Sequence, residues 1–303
     1  MASNEKVRQA ILKTLLYSDI FDFPLTKDEI WRFLISENKI SREDFEQNIK
    51  NLTETIILKN GFYSLYGKEQ NILDRRKNFK EVHEKLQLAR KAAFYISFIP
   101  TVQLIGISGG LALENAGKDD DIDFFIITQK NTLFMTRFWV IGLLEWLNLR
   151  RDRNAKNPAN KICVNFLIDE TRMSWPPGKR DLYIAHEIVQ MQPLFERGDT
   201  YIKFMGSNKW IEKFLPNAQE RIVKILGKNW QTNLYILRFL SNFLAVIKFE
   251  LIIKKMQKFY MKNHLTSETV TNKVLAFHPN DYRTEIINTL RSKYDKIGLL
   301  TNF

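Results

Sequence analysis

The sequence predicts an α/β (α+β) fold around a short mixed sheet, and three observations predict it. Three apolar runs, VQLIGI (102–107), DIDFFIIT (121–128) and ICVNFLID (162–169), have strand length and strand composition. Helix-length segments separate them. The flanking thirds of the chain carry helical periodicity instead, with one hairpin signal near the N-terminus.

Asn4 to Tyr17 places Val7, Ile11, Leu15 and Leu16 on one helical face. Pro24 interrupts regular structure. Thr26 and Glu29 then form a capping box that opens a helix to about Ser36. Ser41 begins a third helix, SREDFEQNIKNLTE, and ILKNGFYSLYG reads as a hairpin turning at Asn60–Gly61. Three helices and a hairpin, residues 1–67, follow the winged-helix order. The third helix carries Arg42 and Lys50 against Glu43, Asp44, Glu46 and Glu54, a poor charge balance for a phosphate-lined groove, so a structural or protein-contact role is expected. Residues 68–100 read as a connecting basic helix. Its Arg75, Arg76, Lys77, Lys80, Lys85, Arg90 and Lys91 offer a better polyanion surface.

Residues 101–200 hold the sheet. SGG follows the first strand and LALENA continues as helix; GKDD leads into the second strand. Asn131 to Leu149 is an apolar helix, RRDRNAKNPANK a basic loop, and a helix from Leu182 to Gln192 follows the third strand. Residues 201–303 read as mostly helical: IKFMGSNKWIEKFL, Ala218 to Leu226, Thr232 to Asn263, and Tyr282 to Asp295.

Composition narrows the function classes. The chain has 303 residues, 45% hydrophobic and 26% charged, ordinary for a soluble globular protein. One cysteine, Cys163, excludes an internal disulfide and a Cys-rich zinc site; it reads as a small buried strand residue in a protein of the reducing cytoplasm. The N-terminus lacks the pattern of a signal peptide. Arg137 and Glu145 interrupt the stretch Thr132–Leu149, and Arg238, Lys248 and Glu250 interrupt Leu234–Ile253, so both are expected to be core helices with no stable membrane insertion. The formal net charge is +12, of which +10 falls in residues 201–303, which favours RNA or another polyanion as a partner.

The chemistry sits in SGG-x10-DID. Side chains two apart on a strand share a face, so Asp121 and Asp123 project together while Ile122 faces the core. Adjacent carboxylates repel unless a proton or a cation neutralises them, and hard oxygen ligands select Mg²⁺ or Mn²⁺. Ser108, Gly109 and Gly110 join a strand to a helix; the glycines permit a tight turn and close ligand approach, and the helix start offers free N–H groups to phosphate.

This pattern resembles the DNA polymerase beta superfamily of nucleotidyltransferases, whose signature pairs Gly-Gly or Gly-Ser with Asp-hydrophobic-Asp about ten residues on. The resemblance covers about residues 102–169. It implies a nucleotidyltransferase core using Mg²⁺ (or Mn²⁺) and a nucleoside triphosphate, with Asp121 and Asp123 as metal ligands and Gly109, Gly110 and Ser108 holding the triphosphate. The segments FDFPLTKDEIWRFLI, KICVNFLID and QMQPLFERGDTY resemble bacterial nucleotidyltransferase-domain proteins with an N-terminal winged helix. The acceptor class stays open among RNA, protein and small molecules.

One departure matters. The superfamily places a third carboxylate on a later strand, and this chain has Asn165 there. An amide ligates weakly and is not a base. Asp169 lies on the same face, ~13 Å along the strand. Three alternatives remain: Asp169 or Glu170 reaches in as the third catalytic acid, the enzyme works without that base, or the protein is a non-catalytic nucleotide-sensing winged-helix regulator. Arg150, Arg151, Arg153, Lys156 and Lys161 are further candidates for gripping phosphates. His186 is expected to be a core or surface residue beside Glu187, and His278 a turn residue. No histidine pair has metal-ligand spacing, and no Walker, GxGxxG or GxSxG motif is present.

Overall fold

The computed structural model describes residues 4–151, 158–219, 243–262, 269–276 and 282–299. The chain begins with α1 (Asn4–Asp19), β1 (Leu25–Thr26), α2 (Lys27–Arg32), α3 (Arg42–Ile49), β2 (Ile56–Lys59) and β3 (Phe62–Leu65). The three strands form an antiparallel sheet in the order β1-β3-β2. Thr26 caps α2 with the reciprocal Glu29 bond of a capping box. The helix stops at Arg32, short of Ser36, because the chain is drawn onto α1, where Ile35 N donates to Thr14 Oγ1 at 3.0 Å. Asn60 (φ 53°) and Gly61 (φ 83°) make the hairpin turn in the left-handed region that this residue pair favours.

The expected connecting helix is two helices, α4 (Glu69–Lys77) and α5 (Phe79–Ile96). Two of its basic residues are interior. Arg75 lies over the rings of Phe23 and Phe62 and makes a bidentate pair with Glu29 at 2.8 and 2.9 Å. Lys85 donates to Lys118 O, Asp120 O and Asn160 Oδ1 at 3.1, 2.6 and 3.1 Å, clamping two loops together. The other five basic residues remain exposed.

The central sheet runs β7-β4-β5-β6-β9-β8. Its strands are β4 (Val102–Ile107), β5 (Ile122–Thr128), β6 (Ile162–Asp169), β7 (Gln192–Glu196), β8 (Thr269–Val270) and β9 (Val274–Ala276). Only the β5–β6 pair is parallel. Between strands lie α6 (Gly109–Ala112), α7 (Leu133–Trp146) and α8 (Leu182–Gln190). LALENA is mostly not helical: α6 ends after Ala112, and Glu114 turns left-handed at φ 56°. Sequence periodicity also missed β7, which occupies the end of the expected Leu182–Gln192 helix. Met191 turns extended, and Pro193 then sits on an edge strand, where a missing N–H is tolerated.

Both faces of the sheet are apolar, which explains its continuous hydrophobic runs. Ile105, Ile107, Phe124 and Ile126 pack with Ala89, Ala92 and Ala93 of α5 and with Phe134 and Val140 of α7. Leu104, Phe125, Ile127 and Ile168 belong to a second cluster. It runs without interruption through α8 into Val7, Ile11 and Leu15 of α1. The N-terminal helices therefore share a core with one face of the sheet.

The C-terminal part contributes α9 (Thr200–Gly206), a 3-10 turn at Lys209–Lys213, α10 (Phe243–Lys262) and α11 (Tyr282–Lys296). Glu250 of α10 accepts from Phe134 N and Met135 N at 3.0 and 2.6 Å, satisfying free amides at the start of α7. Most of the expected Ala218–Leu226 helix, the first part of the Thr232–Asn263 helix, His278, Arg153 and Lys156 lie outside the described residues. Among the described residues no helix is long and apolar enough to cross a membrane.

Candidate functional site

β4 delivers Ser108 to the edge of β5, where its backbone N donates to Asp123 O at 3.0 Å. Gly109 follows at φ +64°, and a Cβ there would stand 2.9 Å from Asp123 Oδ2. Both conformation and space require glycine at this position. Gly110 is different. A Cβ there would meet only ordinary contacts, the nearest at 3.8 Å. The turn leads into α6, which at four residues is too short to carry the helix-dipole role expected for it.

Asp121 and Asp123 do come together with Cys163, their ligand atoms all within 4.8 Å of one another. Cys163, expected to be buried, is half-buried and faces the acids. Asp121 is not free: Arg151, from the basic loop, holds its Oδ2. Lys161 and Arg150 point elsewhere, to Asn148 O at 2.7 Å and Glu145 at 3.2 Å.

Asn165 reaches Asp123 through a bulge. Phe124 pairs with Val164 and Phe125 with Phe166, so Asn165 is the extra residue on β6. Its Nδ2 donates to Asp123 Oδ1, and its Oδ1 accepts from Cys163 Sγ at 2.8 Å. Asp121, Asp123, Asn165, Cys163 and Arg151 thus form one connected group.

Asp169 is not part of it. It pairs with Thr128, at the opposite end of the strands from the Asp123–Cys163 pair, ~20 Å away. Fully buried, its carboxylate accepts from Asn131 N at 2.6 Å and from Thr171 N and Oγ1 at 2.9 and 2.6 Å. Glu170 accepts from Lys130 N at 2.9 Å. Both acids cap loops, so neither supplies the third carboxylate.

The charges respond to this crowding. Burial, and then the Asp121, Glu187 and Asp120 carboxylates, push Asp123 up to about 8, with Arg151 opposing. Burial, then Asp123 and Asp121, push the Cys163 thiol up to about 12, which keeps it a neutral donor in the metal-free protein.

Asp123 also lines a cavity of about 320 Å³. Ser108, Gly109 and Gly110 form one wall. Tyr183, His186, Glu187 and Gln190 of α8 form a second, and Thr14, Tyr17 and Ser18 of α1 a third. Burial raises Glu187 to about 7 and, with Arg32, lowers His186 to about 3. Glu187 is ringed by protein yet keeps some accessible surface because it borders this cavity. Sequence periodicity placed His186 and Glu187 on a helix without connecting them to the glycine turn, since nothing in it brings α8 or α1 to β5.

No family model matches the chain, and no curated protein matches it. Among solved structures, a toxin–antitoxin crystallised with AMP-PNP aligns over 45% of this chain and 98% of its own, at 14% identity and a TM-score of 0.26. A mutant of the toxin–antitoxin MntA–HpeT aligns over 48% of this chain and 98% of its own, at 13% identity and a TM-score of 0.23. Superpositions this loose carry no argument about what this chain does.

Proposed function

We propose that the chain is a metal-dependent nucleotidyltransferase that moves a nucleoside monophosphate from an NTP to an acceptor. The observation that carries the reading is the contact between the glycine turn and the acid pair: Gly109 lies against Asp123 Oδ2, and Asp121 joins the same cluster. Asp121 and Asp123 offer hard carboxylate oxygens suited to Mg²⁺ or Mn²⁺, with Cys163 beside them. Asp123, whose carboxyl burial pushes up to about 8, is the kind of group a cation holds ionised. Such an ion would neutralise phosphate charge when bound. Arg151 already neutralises Asp121 and has to share it or swing away for an ion to enter.

In this reading the Gly109 and Gly110 amides approach the triphosphate, with Ser108 beside them. The acceptor oxygen bonds to the α-phosphorus, the bond to the α–β bridging oxygen breaks, and pyrophosphate leaves with that electron pair; the acceptor proton passes to solvent. We divide the chain into a winged-helix unit (1–67), a connecting segment (68–100), the catalytic core (101–200) and a C-terminal region (201–303). The test is Mg²⁺-dependent pyrophosphate release with each NTP. Release should fall at least a hundredfold in Asp123→Asn, and unchanged release would remove the assignment.

A second reading has its own support. Asn165 stands where the third acid is expected, Asp169 caps a loop, and Arg151 occupies Asp121. A nucleotide-sensing regulator would bind NTP without releasing pyrophosphate.

A further inference from the structure

The cavity beside the glycine turn has a chemistry of its own. Asp123 and Glu187 present carboxylates to it, and among the described residues that line it none is lysine or arginine. The described cation near the acid pair, Arg151, lies with Asp121, neither of which lines the cavity. Asp123 therefore stands between two compartments of opposite character.

The walls add two features. Tyr17, Phe21, Phe23 and Phe33 from the N-terminal unit and Tyr183 from α8 supply aromatic surface. Faces of such rings attract organic cations. His186 is 2% exposed and stacks on Tyr17 with ring centroids 3.9 Å apart. Its Nδ1 is 3.3 Å from Gln190 Nε2, while its Nε2 is buried with no hydrogen-bond partner. With Gln190 donating to Nδ1, Nε2 carries the hydrogen. That leaves an unmatched donor on a side chain that lines the cavity. Burying it unmatched costs free energy that a ligand oxygen would recover.

We propose that this cavity binds a small organic cation carrying a hydroxyl, an aryl or alkyl amino alcohol, with Glu187 facing the ammonium, the rings of the N-terminal unit flanking the body, and His186 Nε2 donating to the hydroxyl oxygen. Its role as acceptor rests on the nucleotidyltransferase reading; its binding does not. The N-terminal helices thereby supply part of the site, brought there by the core they share with the sheet.

The test uses four ligands on one ring: 2-amino-1-phenylethanol, phenethylamine without the hydroxyl, 1-phenylethanol without the amine, and mandelate with a carboxylate in place of the aminomethyl group. Binding is measured calorimetrically to the full chain without NTP or metal. The amino alcohol should bind at least about tenfold tighter than 1-phenylethanol and tighter still than mandelate. Phenethylamine should fall below the amino alcohol. Glu187→Gln, checked for folding by circular dichroism, should erase the preference for the amine. Phe21→Ala, at the exposed rim, should weaken all four ligands without changing their order. Mandelate binding as tightly as the amino alcohol, an amine preference that survives Glu187→Gln, or no saturable binding at millimolar concentration would each overturn the proposal. Pyrophosphate release is scored separately, so amine binding without release counts against the enzymatic reading alone, and release without amine binding counts against this inference alone.

Discussion

The Asn165 amide donates to the Asp123 carboxylate across a bulge between two parallel strands. An amide at this position relieves a buried acid, whereas a third carboxylate would add to a charge that burial already disfavours. Asn165→Asp should therefore lower thermal stability without metal and widen the stabilisation given by Mg²⁺. Asn165→Ala should cost about 1–2 kcal/mol, because Asp123 loses a buried partner. Melting curves with and without Mg²⁺ check both. An Asn165→Asp protein as stable as the parent without metal would show that Asp123 is not crowded.

The two glycines of the turn should respond differently. Gly109→Ala forces an L residue into the left-handed region, at ~1–2 kcal/mol, and drives a methyl against Asp123 Oδ2. Gly110→Ala meets ordinary contacts and should change stability by less than about 1 kcal/mol. Denaturant unfolding of the two variants distinguishes them. Equal losses would mean that the turn relaxes as a unit.

Arg151 offsets the charge of Asp121 on a half-exposed edge. Arg151→Ala should destabilise the metal-free protein by about 1 kcal/mol and tighten Mg²⁺ binding, since the ion no longer competes with a guanidinium. Titration of Mn²⁺ followed by electron paramagnetic resonance measures this directly. Weaker Mn²⁺ binding in the variant would assign Arg151 to the ion site instead.

The cavity acids set a pH dependence. Burial holds Glu187 near 7 rather than 4.5, so between those values the folded state keeps a proton that the unfolded state has lost, and stability falls as pH rises. Asp123, raised to about 8, acts in the same sense. His186, lowered to about 3 from 6.5, acts in the opposite one: below 6.5 the unfolded state takes a proton that the folded state refuses, and stability falls with acid. Glu187→Gln should flatten the fall between 4.5 and 7 and gain about 3 kcal/mol above it. Unfolding free energies across this range test the sign. An unchanged profile would place Glu187 in contact with water.

Much was legible in the residues themselves. The strands VQLIGI, DIDFFIIT and ICVNFLID, the Thr26 capping box and the Asn60–Gly61 turn follow from local stereochemistry, where neighbours in sequence decide the conformation. So does the shared face of Asp121 and Asp123, because strand periodicity fixes it. The close fit of Gly109 to Asp123 needed the register of β4 on β5, which periodicity does not give. The Asn165 bulge, the capping role of Asp169 and the burial of Arg75 and Lys85 depended on partners far along the chain. The cavity depended on them most, because long-range packing in the second hydrophobic cluster is what brings α1 and α8 to the glycine turn. Sequence determined which groups can ionise and which segments form most of the strands and helices. Tertiary packing decided which of those charges face one another, because that follows from long-range burial rather than from local spacing.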